Sequence, residues 1–373
     1  EGAALFNPSI VPHPEQPNKD ELQWIMSMRA TGEGHLSSVV FETGKITADG
    51  QFEVFPRANT SARTGLSPDQ FYVKTLFAKK LNEMNTVQET VEELLQELAE
   101  TFTLSQLEEA IDKVSVHDET SKAMLWLARS NYQLRLEESA DPSELVIFPY
   151  SEAESRGIED VRLVHFVDEE GQSRYYGTYT AYNGFNILPQ LLETKDFRTV
   201  AVHTLNGSSV QNKGMALFPR QIGGKYVMSA RIDGRNLYIM ASENIHFWDD
   251  AQQVATPKYP WEGRIIGNCG SPVETSRGWL LLTHGVGPMR KYSLGAMLLD
   301  LEDPKKILGR IKEPLLSPNE EEREGYVPNV LYTCGSLAHK GTLYIPYAMS
   351  DKATAVATVN LEELVDLLLA DGP

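Results

Sequence analysis

Apolar residues follow two different periods along this chain. From Phe6 to Pro56 they come in short runs, Leu22 to Arg29 and Leu36 to Thr43, divided by the glycine-bearing stretch Ala30-Thr31-Gly32-Glu33-Gly34. Runs of this length between turn residues read as strands. Pro8, Pro12, Pro14 and Pro17 keep the lead-in extended. From Ser67 the period lengthens. Phe71, Leu76, Phe77 and Leu81, then Val91, Leu94, Leu95 and Leu98, then Leu104, Leu107 and Ile111, and last Met124, Leu125 and Leu127 fall three and four residues apart. That spacing lines one face of a helix. Ser67-Pro68-Asp69 and Thr103-Leu104-Ser105-Gln106 supply start signals, so three or four helices are predicted, ending near Arg129. After Ser130 short strands return, and the chain closes on a helical Leu361 to Leu369.

The strand regions repeat. Five segments, centred on Trp24, Tyr175, Tyr226, Trp279 and Leu343, each place an aromatic residue or leucine in a strand, a polar break some five residues on, and then a second strand. The last four recur at roughly 50 to 65 residues, near the span of a four-stranded propeller blade. The helical stretch fills the longer first gap. The expected fold is all-β, a five-bladed β-propeller forming a single domain over residues 1–373, with a helical insertion at 66–129 between blades 1 and 2. Five places beyond the centres stand Arg29, Thr180, Arg231, His284 and Ala348, with Asp351 close behind the last. Equivalent positions on inner propeller strands converge on the axis. Two arginines and a histidine would then face one small cavity, suited to an anion or to sugar hydroxyls.

Charge sharpens this expectation. With 34 basic and 52 acidic residues the net charge is -18, which repels nucleic acid and anionic membrane surfaces, so neither is an expected partner. An anionic ligand would need a local basic pocket. No apolar run approaches the ~20 residues of a membrane span. Cys269 and Cys334 are too few for a disulfide framework and lack metal-ligand spacing, as do the scattered His165, His203 and His246. Two buried free thiols in a reducing compartment, and no bound metal, are expected. A cytoplasmic location follows, with export left open because the first residue is Glu1. No glycine-rich nucleotide loop occurs, so no nucleotide cofactor is expected.

The stretch Gly157-Ile158-Glu159-Asp160-Val161-Arg162 sets adjacent carboxylates and an arginine in a glycine-led turn ahead of the strand-like Leu163 to Val167. Alone it reads equally as a solvated turn carrying weak ion pairs. It is followed in order by Tyr176 to Ala181 (Tyr-Gly-Thr-Tyr-Thr-Ala), Asn212 to Pro219 (Asn-Lys-Gly-Met-Ala-Leu-Phe-Pro), Gly278 to Gly285 (Gly-Trp-Leu-Leu-Leu-Thr-His-Gly), and Gly295 to Asp300 with Asp303-Pro304. This ordered set resembles glycoside hydrolase family 130, which holds inverting phosphorylases and some hydrolases of β-mannosides on a five-bladed propeller. The resemblance runs from about Phe6 to Asp351 and omits the helical insertion.

The resemblance implies Asp160 as the general acid, acting on the glycosidic oxygen through a hydroxyl of the bound mannose. A close cation on that carboxyl would weaken the role, because it favours the ionised form. Lys213, Arg231 and His284 are implied for phosphate, the co-substrate of a phosphorylase. Arg29, His35, Ser37, Ser38, Tyr179 and Asp351 are implied for the oligosaccharide substrate. Many phosphorylases of the family carry a histidine just before the third-blade arginine, where this chain has Ala230. Counting Lys213, Arg231 and His284 as cations makes phosphorolysis to mannose 1-phosphate the first reading, and the departure at Ala230 keeps inverting hydrolysis as the alternative. Hydrolysis would need a second carboxylate roughly 6.5–9.5 Å from the acid. A non-catalytic sugar-binding propeller is a third. The insertion is expected to wall the pocket or to carry a contact between copies of the chain in a homo-oligomer.

Overall fold

The computed structural model describes all residues except 1–3, 33–35, 57–61, 68–69, 116–117, 320–321, 323–324 and 326. Five antiparallel sheets follow one another along the chain and form the five blades of a propeller. Their inner strands are Ala4–Pro12, Ile158–Val167, Ala216–Leu217, Ile266–Asn268 and Leu331–Tyr332. In each blade the next long strand pairs with the inner one: Leu22–Thr31, Ser173–Tyr182, Tyr226–Ala230, Gly278–Val286 and Thr342–Met349.

Both faces of a blade are covered by its neighbours, so these strands lose the in-out alternation of a half-exposed sheet. All nine residues of Gly278–Val286 are buried. A separate apolar cluster fills each junction between blades. Ile25, Phe41, Leu163 and Tyr175 lie between the first and second, and Phe166, Tyr176, Met228 and Trp248 between the second and third. Phe218, Ile239, Trp279 and Met297 come next, then Leu282, Leu294, Leu343 and Ile345. Trp24, Met26, Val40 and Tyr344 close the ring between the fifth blade and the first. At about 1.5–3 kcal/mol for each large apolar side chain buried, these junctions are the main stabilising term. Closure is reinforced by hydrogen bonds from Cys334 N to Pro8 O (2.8 Å) and from Thr354 Oγ1 to Leu5 O (2.9 Å).

The five repeat centres lie on the second strand of each blade, not on the inner strands to which their register assigns them. The acidic motif is also placed differently. It is not a turn before a strand but the start of the inner strand Ile158–Val167, broken by a bulge between Glu159 and Arg162.

The helical stretch grows from the edge of the second blade. Strand Tyr132–Leu136 pairs with Thr199–Thr204, and Thr64–Ser67 pairs with Tyr132–Leu136, widening that blade to six strands. Between these two strands lie helices Lys74–Glu83, Gln88–Gln96, Leu104–Val114 and Glu119–Arg129. Thr103 and Gln106 form the capping box their spacing announces. The helices enclose their own core of Phe77, Leu81, Leu94, Phe102, Leu107 and Met124. Trp126 packs against both this core and that of the first two blades. No helix among the described residues is long and apolar enough to cross a membrane.

Candidate active site

The bulge in the acidic motif decides where its side chains go. A bulge adds a residue to one strand and re-aims the side chains beyond it. Here Asp160 adopts φ +55°, a left-handed conformation uncommon for a non-glycine residue. Gly157, at φ +118°, enters the motif under Ser37. A Cβ on Gly157 would lie 2.3 Å from Ser37 Oγ, which itself donates to Ile158 O (2.9 Å). The turn ahead is pinned by Glu154, a fully buried carboxylate. It accepts from Tyr179 OH (2.6 Å), Tyr132 OH (2.9 Å), Ser151 N (2.9 Å), Ser151 Oγ (3.0 Å) and Tyr150 N (3.0 Å), while its own carbonyl accepts from Gly157 N (2.6 Å).

Around Asp160 the neighbouring blades supply partners. Asn7 Nδ2 donates to Asp160 Oδ1 at 2.6 Å. Arg29, lying over the Phe6 ring, reaches Asp160 Oδ1 at 3.8 Å and Glu159 Oε1 at 3.5 Å. Arg162 does not pair with the Asp160 carboxyl. Its guanidinium is buried and donates instead to Asp160 O (3.2 Å) and to Tyr332 OH (2.7 Å). Burial opposes its charge, but Tyr332, Cys334 and Asp160 together outweigh that and hold its pKa above the usual arginine value. Among the described residues, Asp160 therefore meets a cation on its carboxyl only at the loose 3.8 Å contact with Arg29.

A second cluster faces this one from the third and fourth blades. Arg231 Nη1 stands 3.1 Å from His284 Nε2, and His284 Nδ1 is 3.1 Å from Asn268 O. A guanidinium only donates, so Nε2 must accept and Nδ1 must carry the proton. Burial first, then Arg231 and Arg162, push the His284 pKa well below its usual value. His284 is thus a neutral imidazole that orients Arg231, not the extra cation expected from its sequence position. Gly267 makes room for the pair: a Cβ there would lie 2.6 Å from His284 Cε1 and 3.3 Å from Arg231 Cδ. Gly214, at φ +88°, links the two clusters. Its would-be Cβ lies 3.6 Å from Asn268 Oδ1, 3.9 Å from Arg231 Cβ and 4.0 Å from Arg162 Nη2. The adjacent Lys213 hydrogen-bonds Glu159 and stands over the Tyr182 ring.

Several polar atoms of this centre are buried without a protein partner: Arg29 Nε, Arg162 Nε, Arg231 Nε, Asn7 Oδ1 and Asn268 Oδ1. A buried unpaired donor costs about 1–3 kcal/mol. Three guanidinium N–H groups left unpaired and closed to solvent in one centre make that centre costly to pack.

Asp351 comes from the fifth blade, in left-handed conformation beside Ser350 (φ +53° and +50°). Burial and the charge of Asp160 push its carboxyl up to about 6, against the pull of Arg29. An unfolded carboxyl titrates near ~3.9, so the folded chain holds this proton where the unfolded chain has lost it. Stability contributed here falls as pH rises from about 4 to about 6 and stays low above that window. Asp351→Asn should raise the stability at pH 8 by on the order of 1 kcal/mol after allowance for partial exposure, seen as a higher melting temperature, with no gain near pH 4. Thermal melts of both proteins across pH 4–8 check this; equal curves would remove Asp351 as the buried titrating group.

The remaining expected residues divide. Arg29, Asp160, Lys213, Arg231, His284 and Asp351 come together. Tyr179 does not join the pocket: its ring sits in the core and its hydroxyl anchors Glu154. Ser37 supports the Gly157 turn from beneath, so its hydroxyl is engaged by protein. Ser38 lies on the paired strand Ser37–Ile46, and His35 falls outside the described residues. The sequence gives no sign of Asn7, Asn268, Tyr332 and Glu154. Each is a single polar residue in a strand or turn, with no periodic signal to mark it. Cys269 and Cys334 are free and buried; burial pushes the Cys269 thiol up to about 12 and Cys334 well above its usual value, so neither is nucleophilic at neutral pH. Among the described residues no group of three or more His, Cys, Asp or Glu is placed to hold a metal.

Comparison with known proteins matches residues 118–370 to glycoside hydrolase family 130, described as β-1,4-mannooligosaccharide phosphorylase. The chain belongs to glycoside hydrolase family 130. A 1,2-β-oligomannan phosphorylase of Thermoanaerobacter sp. strain X514 is 35% identical over 225 residues, 57% of this chain and 72% of that protein. A β-1,2-mannobiose phosphorylase of Listeria innocua is 30% identical over 230 residues, 60% of this chain and 63% of that protein. The solved Listeria innocua β-1,2-mannobiose phosphorylase, in complex with β-1,2-mannobiose, superposes with a TM-score of 0.60 at 19% identity, covering 99% of this chain and 93% of the other. Family 130 membership agrees with the propeller and with the ordered motifs that suggested it.

Proposed function

We propose that this family 130 enzyme is an inverting phosphorylase, cleaving β-mannosides with inorganic phosphate to give mannose 1-phosphate and a shortened saccharide. Family membership makes it an enzyme of β-mannosidic bonds, and the relatives named above are phosphorylases, which take phosphate as co-substrate. The observation that carries phosphorolysis is the Arg231–His284 pair, set across the axis from Asp160. A neutral imidazole that fixes one edge of Arg231 leaves its remaining N–H groups free for phosphate oxygens.

In this reading the terminal mannose lies between Arg29, Asp351 and Asp160. Protonated Asp160, held by Asn7, gives its proton to a mannose hydroxyl, whose own proton passes to the glycosidic oxygen. A phosphate oxygen attacks the anomeric carbon from the opposite face as the C–O bond breaks. The products are α-mannose 1-phosphate and the leaving saccharide with a free hydroxyl; Asp160 is left ionised and regains a proton from solvent.

Position 230 also bears on the choice. Ala230 is fully buried in the cluster between the second and third blades, so a side chain there points away from Arg231. The imidazole that does stand beside the arginine is that of His284 on the next blade, which belongs to a family-like motif of its own. Hydrolysis keeps one observation in its favour: Asp351 is a second carboxylate whose charge acts on that of Asp160. A panel of β-1,2-, β-1,3- and β-1,4-linked mannose disaccharides in phosphate tests the proposal. We expect β-1,2-mannobiose to give mannose 1-phosphate fastest, as the relatives above support; no phosphate consumption with any linkage would overturn phosphorolysis.

A further inference from the structure

A buried cation is ordinarily set against a carboxylate. The buried guanidinium of Arg162 is set instead against a carbonyl, Asp160 O at 3.2 Å, and a phenol, Tyr332 OH at 2.7 Å. The carbonyl is available because the bulge breaks the strand register between Glu159 and Arg162 and takes Asp160 out of the ladder. Asp160 itself is left-handed at φ +55°, a conformation that a non-glycine residue keeps only where its surroundings hold it. Arg162 grips its backbone and Asn7 grips its carboxyl.

Tyr332 is in turn fixed by its own surroundings. It lies on the inner strand of the fifth blade, paired with Ala348. Its ring meets the His284 ring edge-on, with centroids 5.0 Å apart, and the Tyr292 ring at 6.4 Å, both from the fourth blade. Edge-to-face contacts of this kind set the orientation of a ring. Burial pushes the pKa of the hydroxyl up, against the pull of Arg162, so the phenol is neutral. A guanidinium only donates, so the phenol oxygen accepts. The guanidinium is also a rigid planar fork, and fixing one arm fixes the other. A continuous link therefore crosses the axis from the fifth blade to the second: Tyr332 holds Arg162, and Arg162 holds the Asp160 carbonyl.

We propose that Tyr332 is a positioning residue for the acid step, holding through Arg162 the bulge that aims the Asp160 carboxyl at the bound mannoside. The inference rests on the reading of Asp160 as the general acid. Its test is Tyr332→Phe, which keeps the ring contacts and removes only the oxygen that Arg162 bonds. This variant, Asp160→Asn and the double variant are compared on the disaccharide that the wild type cleaves fastest, in saturating phosphate. Tyr332→Phe should lower kcat by about tenfold, part of the roughly 10²-fold that a misplacement of about 1 Å can cost. KM for phosphate should stay within about twofold of wild type. In the Asp160→Asn background the same substitution should lower kcat by less than about twofold, because a residue that acts through Asp160 has nothing left to position. A kcat near wild type for Tyr332→Phe, or two losses that multiply as a general structural role would make them, overturns the inference. So does a raised KM for phosphate at unchanged kcat, which would make Tyr332 a phosphate contact. If Tyr332→Phe folds poorly, Arg162→Lys takes its place with the same expected pattern, since a lysine cannot bridge both oxygens. Free mannose released at one rate with or without phosphate defeats the phosphorylase reading alone. The same comparison, read on mannose release, then still judges Tyr332, because the acid step is common to both reactions.

Discussion

Asp160→Asn should lower phosphorolysis by about 10²- to 10⁴-fold, the usual contribution of a positioned general acid, while leaving the fold intact. The amide matches the carboxyl in shape and can keep a hydrogen bond with Asn7 after rotation, but it has no proton to give. The φ of +55° at this position is tolerated by asparagine as well as by aspartate, so the bulge should survive. Circular dichroism and a melting curve close to wild type, together with lost turnover, are the expected pair of results. Turnover within a few fold of wild type would remove Asp160 from the mechanism. Loss of fold would shift attention to the strained backbone.

The second large effect is expected at Arg231. Arg231→Met should raise KM for phosphate by about 10- to 100-fold, as removal of hydrogen bonds to a charged ligand costs about 1.5–3 kcal/mol. The unbranched side chain keeps packing against Gly214 and His284 while removing every N–H. KM for the mannoside should move far less, because Arg29, Asp160 and Asp351 lie on the other side of the axis. Equal changes in both KM values would indicate a general disturbance of the centre rather than a phosphate contact. Relieved of the guanidinium, His284 should also titrate closer to its usual range, since Arg231 is one of the groups pushing it down.

The blades were legible because the repeat centres are the residues that fill the junctions. Trp24, Tyr175, Trp279 and Leu343 each sit in a different inter-blade cluster, and Tyr226 packs against a fifth. Large apolar groups must recur wherever identical junctions recur, and that recurrence survives in a single sequence. The site was legible to the extent that it hangs on the same strands. Arg29 and His284 lie five positions after a centre, and Arg231 comes just after the end of its strand. The features that escaped depend on backbone geometry or on distant pairing. The bulge at Asp160 and the left-handed Asn7 that meets it leave no mark in composition. Tyr332 and Arg162 are 170 positions apart, and Glu154 is buried only because Tyr132 and Tyr179 converge on it from two strands. Tyr179 misses the pocket for a related reason. Adjacent strand residues point to opposite faces, and Thr178 and Thr180 take the other face, leaving Tyr179 for the core.

The charge state of His284 lies beyond sequence reasoning altogether. Counting it as a cation treats a histidine by type, whereas complete burial beside two arginines makes the charged form costly. The proposed phosphate cradle is therefore less positive than its residue types suggest, and Lys213 is already engaged by Glu159.

The measurement closest to the central claim is the identity of the product formed from β-1,2-mannobiose with and without inorganic phosphate. Phosphorolysis predicts α-mannose 1-phosphate and mannose in equal amounts when phosphate is present, and almost no cleavage when it is absent. Free mannose as the sole product, released at the same rate in both conditions, would contradict it and make water the nucleophile in place of phosphate.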